Sequence, residues 1–295
     1  MCDWSLAGEF ILNEPLKKHT TFRIGGPAKV MLFPRTIEEI RQGVLLARES
    51  QLPYVILGNG SNLLVRDSGF PGVVIQLGRN FSKIECKDNL FIAQAGALMP
   101  AAAKRALKEG LTGFEFASGI PGSIGGGVNM NAGAYQGEMK DIVSFVRVLD
   151  RDLNLSELKK EAMNFSYRHS KAQEESMIIV EVGFSLMPGN TEEISALMEE
   201  YTKRRNFKQP LDKASAGSTF KRPEGYFAGK LIENTGLRGF RYKDAMISEK
   251  HCGFVINEGE ATCEDVLTLI HMVQKLVYDK FGVCLEREVK ILGEE

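Results

Sequence analysis

Six glycines fall within the fifteen residues 119–133 (Gly119, Gly122, Gly125, Gly126, Gly127 and Gly133). Glycine loses more conformational freedom on folding than any other residue, so such a run persists where backbone takes positive φ or lies flush against something bulky. A ligand with phosphates meets that description, because loop N–H groups converge on an anion where side chains would block the approach. The alternative is a polar linker, and the interleaved Phe114, Phe116, Ile120, Ile124, Val128 and Met130 argue against it. A second cluster, Gly58-Asn59-Gly60-Ser61-Asn62-Leu63, follows the apolar run Tyr54-Val55-Ile56-Leu57. Neither cluster fits a G-x-G-x-x-G opening a helix, and G-x-x-x-x-G-K-[ST] does not occur, so the Rossmann fingerprint and the P-loop are absent. Two separated glycine loops, each after a strand, point instead to a diphosphate cradled from two places. The histidines His19, His169, His251 and His271 lack metal-ligand spacing, and no metal is assigned.

The elements that must position these loops are legible in outline. Thr36-Ile37-Glu38-Glu39 reads as a capping box, and Ile37, Ile40, Val44 and Ala47 continue on one helical face to about Gln51. Strands are predicted at 53–57, 73–77 and 90–95, and a helix from Pro100 through Lys108 is closed by Gly110. The glycine-rich segment is then expected as a loop. Strands over 142–150 and 176–186 follow, then a helix from Thr191 to about Phe207. A short helix at 228–234 and a second capping box, Thr262 with Asp265, lead into a helix over 262–281. The end of the chain reads as a strand over 283–291, with Val283, Leu285, Val289 and Ile291 on one face and Glu286, Glu288 and Lys290 on the other.

The 295 residues suffice for two domains, and 43% hydrophobic with 25% charged residues is ordinary globular composition. A net charge of -1 argues against a protein that coats nucleic acid or an anionic membrane. The start Met1-Cys2-Asp3-Trp4-Ser5 lacks a signal-peptide pattern, no apolar run approaches the ~18 residues of a membrane span, and a cytoplasmic location is expected. Cys2, Cys86, Cys252, Cys263 and Cys284 are odd in number and far apart, which suits reduced thiols.

Seven ordered segments carry a resemblance. Thr20-Thr21-Phe22-Arg23-Ile24-Gly25-Gly26-Pro27-Ala28, Leu57-Gly58-Asn59-Gly60-Ser61-Asn62-Leu63-Leu64 and Gly119-Ile120-Pro121-Gly122-Ser123-Ile124-Gly125-Gly126 resemble the flavin-binding motifs of the bacterial UDP-N-acetylenolpyruvoylglucosamine reductases. Ser166-Tyr167-Arg168-His169-Ser170, Ala216-Gly217-Ser218-Thr219-Phe220-Lys221, Ser248-Glu249-Lys250-His251-Cys252-Gly253-Phe254-Val255-Ile256-Asn257 and Leu285-Glu286-Arg287-Glu288-Val289 resemble that family's later motifs, so the match runs from about residue 19 to 291. The length suits the family's shorter subgroup. The resemblance implies an α+β fold: an FAD-binding portion of the vanillyl-alcohol-oxidase (PCMH) type over 1–188, in subdomains of about 1–80 and 81–188, and a C-terminal α+β substrate domain over 189–295. It also implies that NADPH reduces non-covalently bound FAD, and that a hydride then passes to UDP-N-acetylglucosamine enolpyruvate to give UDP-N-acetylmuramate for peptidoglycan. The expected partners are these small molecules, with no nucleic acid, no membrane insertion, and a monomeric chain.

Hydride addition to the enolpyruvyl methylene carbon builds negative charge beside the carboxylate, so the site needs donors for that carboxylate and an acid for the adjacent carbon. The resemblance assigns the proton donor to Ser218 and makes Arg168 and Glu288 its partners. Arg168 suits the chemistry, since a guanidinium grips a carboxylate bidentately. From pattern alone Glu286 and Glu288 are equal candidates, and the family motif selects Glu288; nothing but the resemblance selects Ser218. For the cofactor the motifs single out Arg23, Gly58, Asn59, Gly60, Ser61, Asn62, Leu63, Gly119, Ile120, Pro121, Gly122, Ser123, Gly125 and Gly126. For the sugar nucleotide, Lys221, Arg222 and Lys230 offer cations to a diphosphate, and Tyr135 could stack on a ring. Two other readings remain: an FAD oxidase using oxygen, and a catalytically silent nucleotide-sugar or flavin-binding module.

Overall fold

The computed structural model describes residues 2–87 and 90–294. The fold is α+β, and the chain visits each of two compact units three times. The first unit comprises Met1–Ile11, Met31–Asn59 and Val74–Arg205; the second comprises Leu12–Val30, Gly60–Val73 and Asn206–Glu295. A four-stranded sheet has the order Glu9–Pro15, Pro27–Phe33, Phe70–Gln76, Tyr54–Leu57.

The first unit contains a five-stranded antiparallel sheet in the order Leu155–Lys159, Val143–Leu149, Ile178–Phe184, Leu90–Gln94, Ile84–Lys87. Alternation turns Phe91 and Phe184 inward, where their rings meet Phe114 at centroid distances of 5.8 and 4.8 Å. The helix Ile37–Glu49 begins where expected. Its capping box is only half formed, because Thr36 Oγ1 accepts the Glu39 N–H while the Glu39 carboxylate reaches back one residue further, to the Arg35 N–H at 2.6 Å. The glycine-rich segment departs from the expected loop. Ile124–Asn129 forms a short helix, capped by Ser123, that packs on Ile178–Phe184 and Leu90–Gln94.

The second unit contains an antiparallel sheet in the order Ala214–Ser218, Phe254–Asn257, Ala245–Ile247, Arg241–Tyr242. The helices Ala228–Thr235 and Cys263–Phe281 pack on each other, and the longer one lies on the sheet. Its stripe Val266, Leu269, Ile270, Val273 and Val277 is buried, as its 3.6-residue spacing demands. Here the capping box is complete: Thr262 and Asp265 each accept the other's backbone N–H at 3.1 Å. The expected strand over 283–291 is shorter, since only Lys290–Leu292 is strand, paired in parallel with Leu63–Val65. Glu288 is correspondingly not on a solvated face; it is 8% exposed.

All five cysteines are free thiols. Cys252 and Cys263 are buried, and burial, helped by the Asp67 charge, pushes the Cys263 thiol up to about 12. A disulfide reagent at pH 8 is therefore expected to modify exposed Cys284 first, with Cys252 and Cys263 reacting only after unfolding. Mass-spectrometric mapping of modified cysteines with and without denaturant checks this order.

Candidate functional site

In the first unit the two glycine clusters meet. The strand Tyr54–Leu57 ends at Gly58, where an added Cβ would stand 2.2 Å from Ser123 Oγ. Next to it, Asn59 Nδ2 donates to the Pro121 carbonyl at 2.7 Å. Ser123 Oγ accepts the Gly126 N–H at 3.3 Å and so caps the helix Ile124–Asn129. The Ile124 and Gly125 N–H groups bond the carbonyls of Ala97 and Ala95 at 2.7 and 2.8 Å. These three donors of the first helical turn are thus taken by the protein itself, and the anion-binding role expected of glycine-loop amides does not fall to them. Gly125 and Gly126 instead line, with Gly58, Ser123 and apolar side chains such as Ile56 and Leu77, a cavity of about 140 Å³.

None of Gly119, Gly125, Gly126, Gly127 and Gly133 has positive φ, so close packing rather than left-handed backbone explains the run. A Cβ on Gly125 would come within 2.8 Å of Ala95 Cβ, and one on Gly119 within 3.0 Å of Arg205 Cδ. Ile120 and Gly122 lie in the tight turns that join Gly119 to Ser123, their N–H groups bonding the Ala117 and Ile120 carbonyls at 3.1 and 2.8 Å. The Tyr135 ring packs face to face on that of Tyr201, at 4.3 Å and 5° between planes, and its hydroxyl donates to the Tyr201 carbonyl at 3.0 Å. Burial raises the Tyr135 phenol above its usual range and lowers the nearby Arg205 guanidinium. Among the described residues, Arg205 Nε is buried without a hydrogen-bond partner.

Arg168 sits at the tip of a tight turn closed by reciprocal backbone bonds between Ser166 and His169, at 3.2 and 3.3 Å. Its φ is +56°, a left-handed value that favours glycine or asparagine, and its guanidinium lies 5.0 Å from the centre of the Tyr167 ring.

In the second unit Gly60, with φ +60°, backs onto the first motif: its carbonyl accepts the Thr21 N–H at 3.2 Å, and a Cβ would stand 2.2 Å from the His19 carbonyl oxygen. Ser61 and Asn62 form the turn into the strand Leu63–Val65. Arg23, also left-handed at +58°, lines a separate polar cavity of about 570 Å³ with Lys17, Lys18, Asp212 and Lys213. The segment after Ala214–Ser218 pairs antiparallel with the last motif. Thr219 O accepts the Glu288 N–H, and the Lys221 N–H bonds Glu286 O, both at 2.8 Å. Asn62 Nδ2 donates to the Glu288 carbonyl at 3.2 Å. Asn62, Ser218 and Glu288, far apart in sequence, are thereby drawn together, with Ser218 exposed and Glu288 buried.

The expected diphosphate cations are engaged locally: Lys221 pairs with Glu286, Lys230 with Glu233 at 3.2 Å, and the Arg222 guanidinium lies 4.0 Å from the Phe227 ring centre. The Lys221–Glu286 pair separates the two glutamates that pattern left equal: Glu286 is an exposed ion-pair partner, Glu288 a buried carboxylate. Sequence reasoning missed Arg205 and Asn131. Arg205 is masked by the charge run Lys203-Arg204-Arg205 at a helix end, and Asn131 carries no signal beyond its place after the glycines.

Comparison with known proteins bears on the whole chain. Residues 28–157 match the "FAD binding domain" family, and residues 209–292 match "UDP-N-acetylenolpyruvoylglucosamine reductase, C-terminal domain". A UDP-N-acetylenolpyruvoylglucosamine reductase from Clostridioides difficile is 54% identical over 96% of this chain and 93% of its own length. One from Caldanaerobacter subterraneus is 51% identical over 98% of this chain and 95% of its own. The crystal structure of the reductase from Thermus caldophilus superposes with a TM-score of 0.83 at 38% identity, covering 96% of this chain and 98% of that one. With such identity sustained from end to end, the chain belongs to the UDP-N-acetylenolpyruvoylglucosamine reductase family.

Proposed function

We propose that the chain is an NADPH-dependent UDP-N-acetylmuramate dehydrogenase: it reduces UDP-N-acetylglucosamine enolpyruvate to UDP-N-acetylmuramate for peptidoglycan synthesis, with FAD as its non-covalent cofactor. The observation that carries this reading is the near-full-length identity to named reductases, reached independently of the site. The residues fit the cofactor. The cavity of about 140 Å³ presents glycine backbone and apolar side chains, surfaces suited to a flat ring, and a Cβ at Gly58 would intrude on it beside Ser123. Residues 1–188 form the FAD-binding part, of the vanillyl-alcohol-oxidase type, and 189–295 the part that takes the sugar nucleotide. The chain works as a cytoplasmic monomer in this reading; among the described residues, no helix is long and apolar enough to cross a membrane.

Bound FAD would supply the hydride chemistry that links NADPH to the enolpyruvyl methylene carbon. In this reading Gly58, Asn59, Gly119 to Ser123, Gly125 and Gly126 would hold the cofactor in the first unit, while Arg23 and Gly60 to Leu63 keep the flavin-motif assignment that the family resemblance gives them. Arg168 grips the enolpyruvyl carboxylate. As the hydride adds, negative charge grows on that carboxylate, so a charge-assisted bond of roughly 1.5–3 kcal/mol strengthens toward the transition state and raises the rate as well as the affinity. Ser218 Oγ gives its proton to the adjacent carbon, with buried Glu288 as its partner across the Thr219–Glu288 backbone pairing. Lys221, Arg222, Lys230 and Tyr135 are assigned to the sugar nucleotide.

A single anaerobic cuvette tests the reading. The purified protein should be yellow with acid-releasable flavin, NADPH should bleach it, and the enolpyruvyl sugar should restore the colour without oxygen. Colour that returns only when air is admitted would favour an oxidase, and failure to bind FAD would remove the cofactor assignment. Ser218→Ala should leave bleaching by NADPH intact while slowing recolouring by the sugar at least ~10²-fold, measured by stopped flow. Gly58→Ala, whose methyl meets Ser123 Oγ, should purify with FAD content reduced at least about 10-fold, read from the absorbance ratio at 450 and 280 nm.

A further inference from the structure

Asn131 is 1% exposed and every hydrogen-bonding atom of its side chain is used. Its Nδ2 donates to Glu138 Oε2 at 2.8 Å and to the Ser166 carbonyl at 3.0 Å, while its Oδ1 accepts the Lys140 N–H at 3.0 Å. Ser166 opens the turn whose tip is Arg168. On the far side of that turn, fully buried Ser170 donates from Oγ to the Asn129 carbonyl at 2.7 Å. Asn129 ends the glycine-rich helix and Asn131 lies two residues beyond it. Both feet of the Arg168 turn are thus fixed to one short segment, the one that follows Gly125 and Gly126.

The turn needs this support. Arg168 at φ +56° and Asn131 at φ +44° both occupy left-handed backbone, which at a non-glycine residue persists only where the surroundings over-determine it. Glu138 adds charge to the arrangement. Its carboxyl is held below the usual carboxylate range, first by the bond to Lys140, against the opposing effect of burial, and further by Asn131 and by the positive charges of Lys140 and Arg168.

We propose that Asn131 is a positioning residue for Arg168: its amide ties the Arg168 turn, through the Ser166 carbonyl, to the end of the glycine-rich helix and to the Glu138 carboxylate. This rests on the reading above that Arg168 grips the substrate carboxylate. Asn131 touches neither substrate nor cofactor in this role; it sets where the guanidinium stands. A displacement of about 1 Å in such a group costs up to ~10²-fold in rate.

The test uses holoenzyme carrying Asn131→Asp, Asn131→Ala, Arg168→Ala, and Arg168→Ala combined with Asn131→Asp. Asn131→Asp keeps the acceptor for the Lys140 N–H, removes both donors and sets a carboxylate against Glu138, so it carries the test should Asn131→Ala fail to fold. Recolouring by the enolpyruvyl sugar should slow about 10- to 100-fold in Asn131→Asp, while bleaching by NADPH changes less than about 3-fold. In the Arg168→Ala background, Asn131→Asp should add less than about 3-fold, because the group it positions is gone. Apart from activity, amide exchange at His169, whose N–H closes the turn, should accelerate at least about 10-fold. A normal recolouring rate in Asn131→Asp alongside a slow Arg168→Ala overturns the positioning role alone, as does equal slowing of both half-reactions or full additivity in the double variant. A normal rate in Arg168→Ala overturns the role given to Arg168 itself, and the positioning role with it.

Discussion

The approach of Gly125 to Ala95 sets the geometry of the first unit. A helix of sequence Ile-Gly-Gly-Gly-Val-Asn is poor by intrinsic preference, each interior glycine costing about 0.8–1.0 kcal/mol relative to alanine. It forms because its start is bonded from outside, Ile124 and Gly125 to the carbonyls of Ala97 and Ala95, and because no Cβ at 125 holds the backbones apart. Once that contact is made, Ser123 must stand beside Gly58, Gly126 must face the same cavity, and Asn129 and Asn131 must emerge where the Arg168 turn is fastened. A packing constraint at one residue thereby positions both the cavity beside Gly58 and the turn that carries Arg168.

In the second unit the equivalent task falls to strand pairing between distant segments. The backbone of Glu288 is fixed on one side by Thr219 and through its carbonyl by Asn62, and Lys290 continues the pairing along Leu63. A buried carboxylate is costly to desolvate unless partners compensate it, and Glu288 is held at 8% exposure by this backbone frame. Glu286, two residues earlier, is exposed and paired with Lys221.

What the sequence disclosed follows from the range of the interactions involved. The helices Ile37–Glu49 and Cys263–Phe281 were legible because a cap and an apolar stripe act within a few residues. Even there Glu39 chose the Arg35 N–H over that of Thr36, a choice fixed by side-chain geometry rather than spacing. The helix Ile124–Asn129 was hidden because its stabilising bonds run to residues about thirty positions earlier, and local preference opposed it. The closing strand was overextended because alternation continues through 283–289 while only Lys290–Leu292 finds a partner strand. Ser218 and Glu288 came from family resemblance, and no local rule would have selected them.

Arg168 and Asn131 show why such residues resist local reading. A turn with a left-handed tip is served best by glycine, and a sequence governed by backbone preference would place one at 168. Glycine would relieve the strain and remove the guanidinium. Arginine at that position carries a conformational cost, and the cost must be met by contacts elsewhere. Asn131 meets part of it with two hydrogen bonds from one buried amide, and itself adopts left-handed backbone, which asparagine tolerates better than most residues. Local preference and the observed backbone disagree here. The hydrogen-bond network around Asn131 is what the fold supplies to hold the disagreement in place.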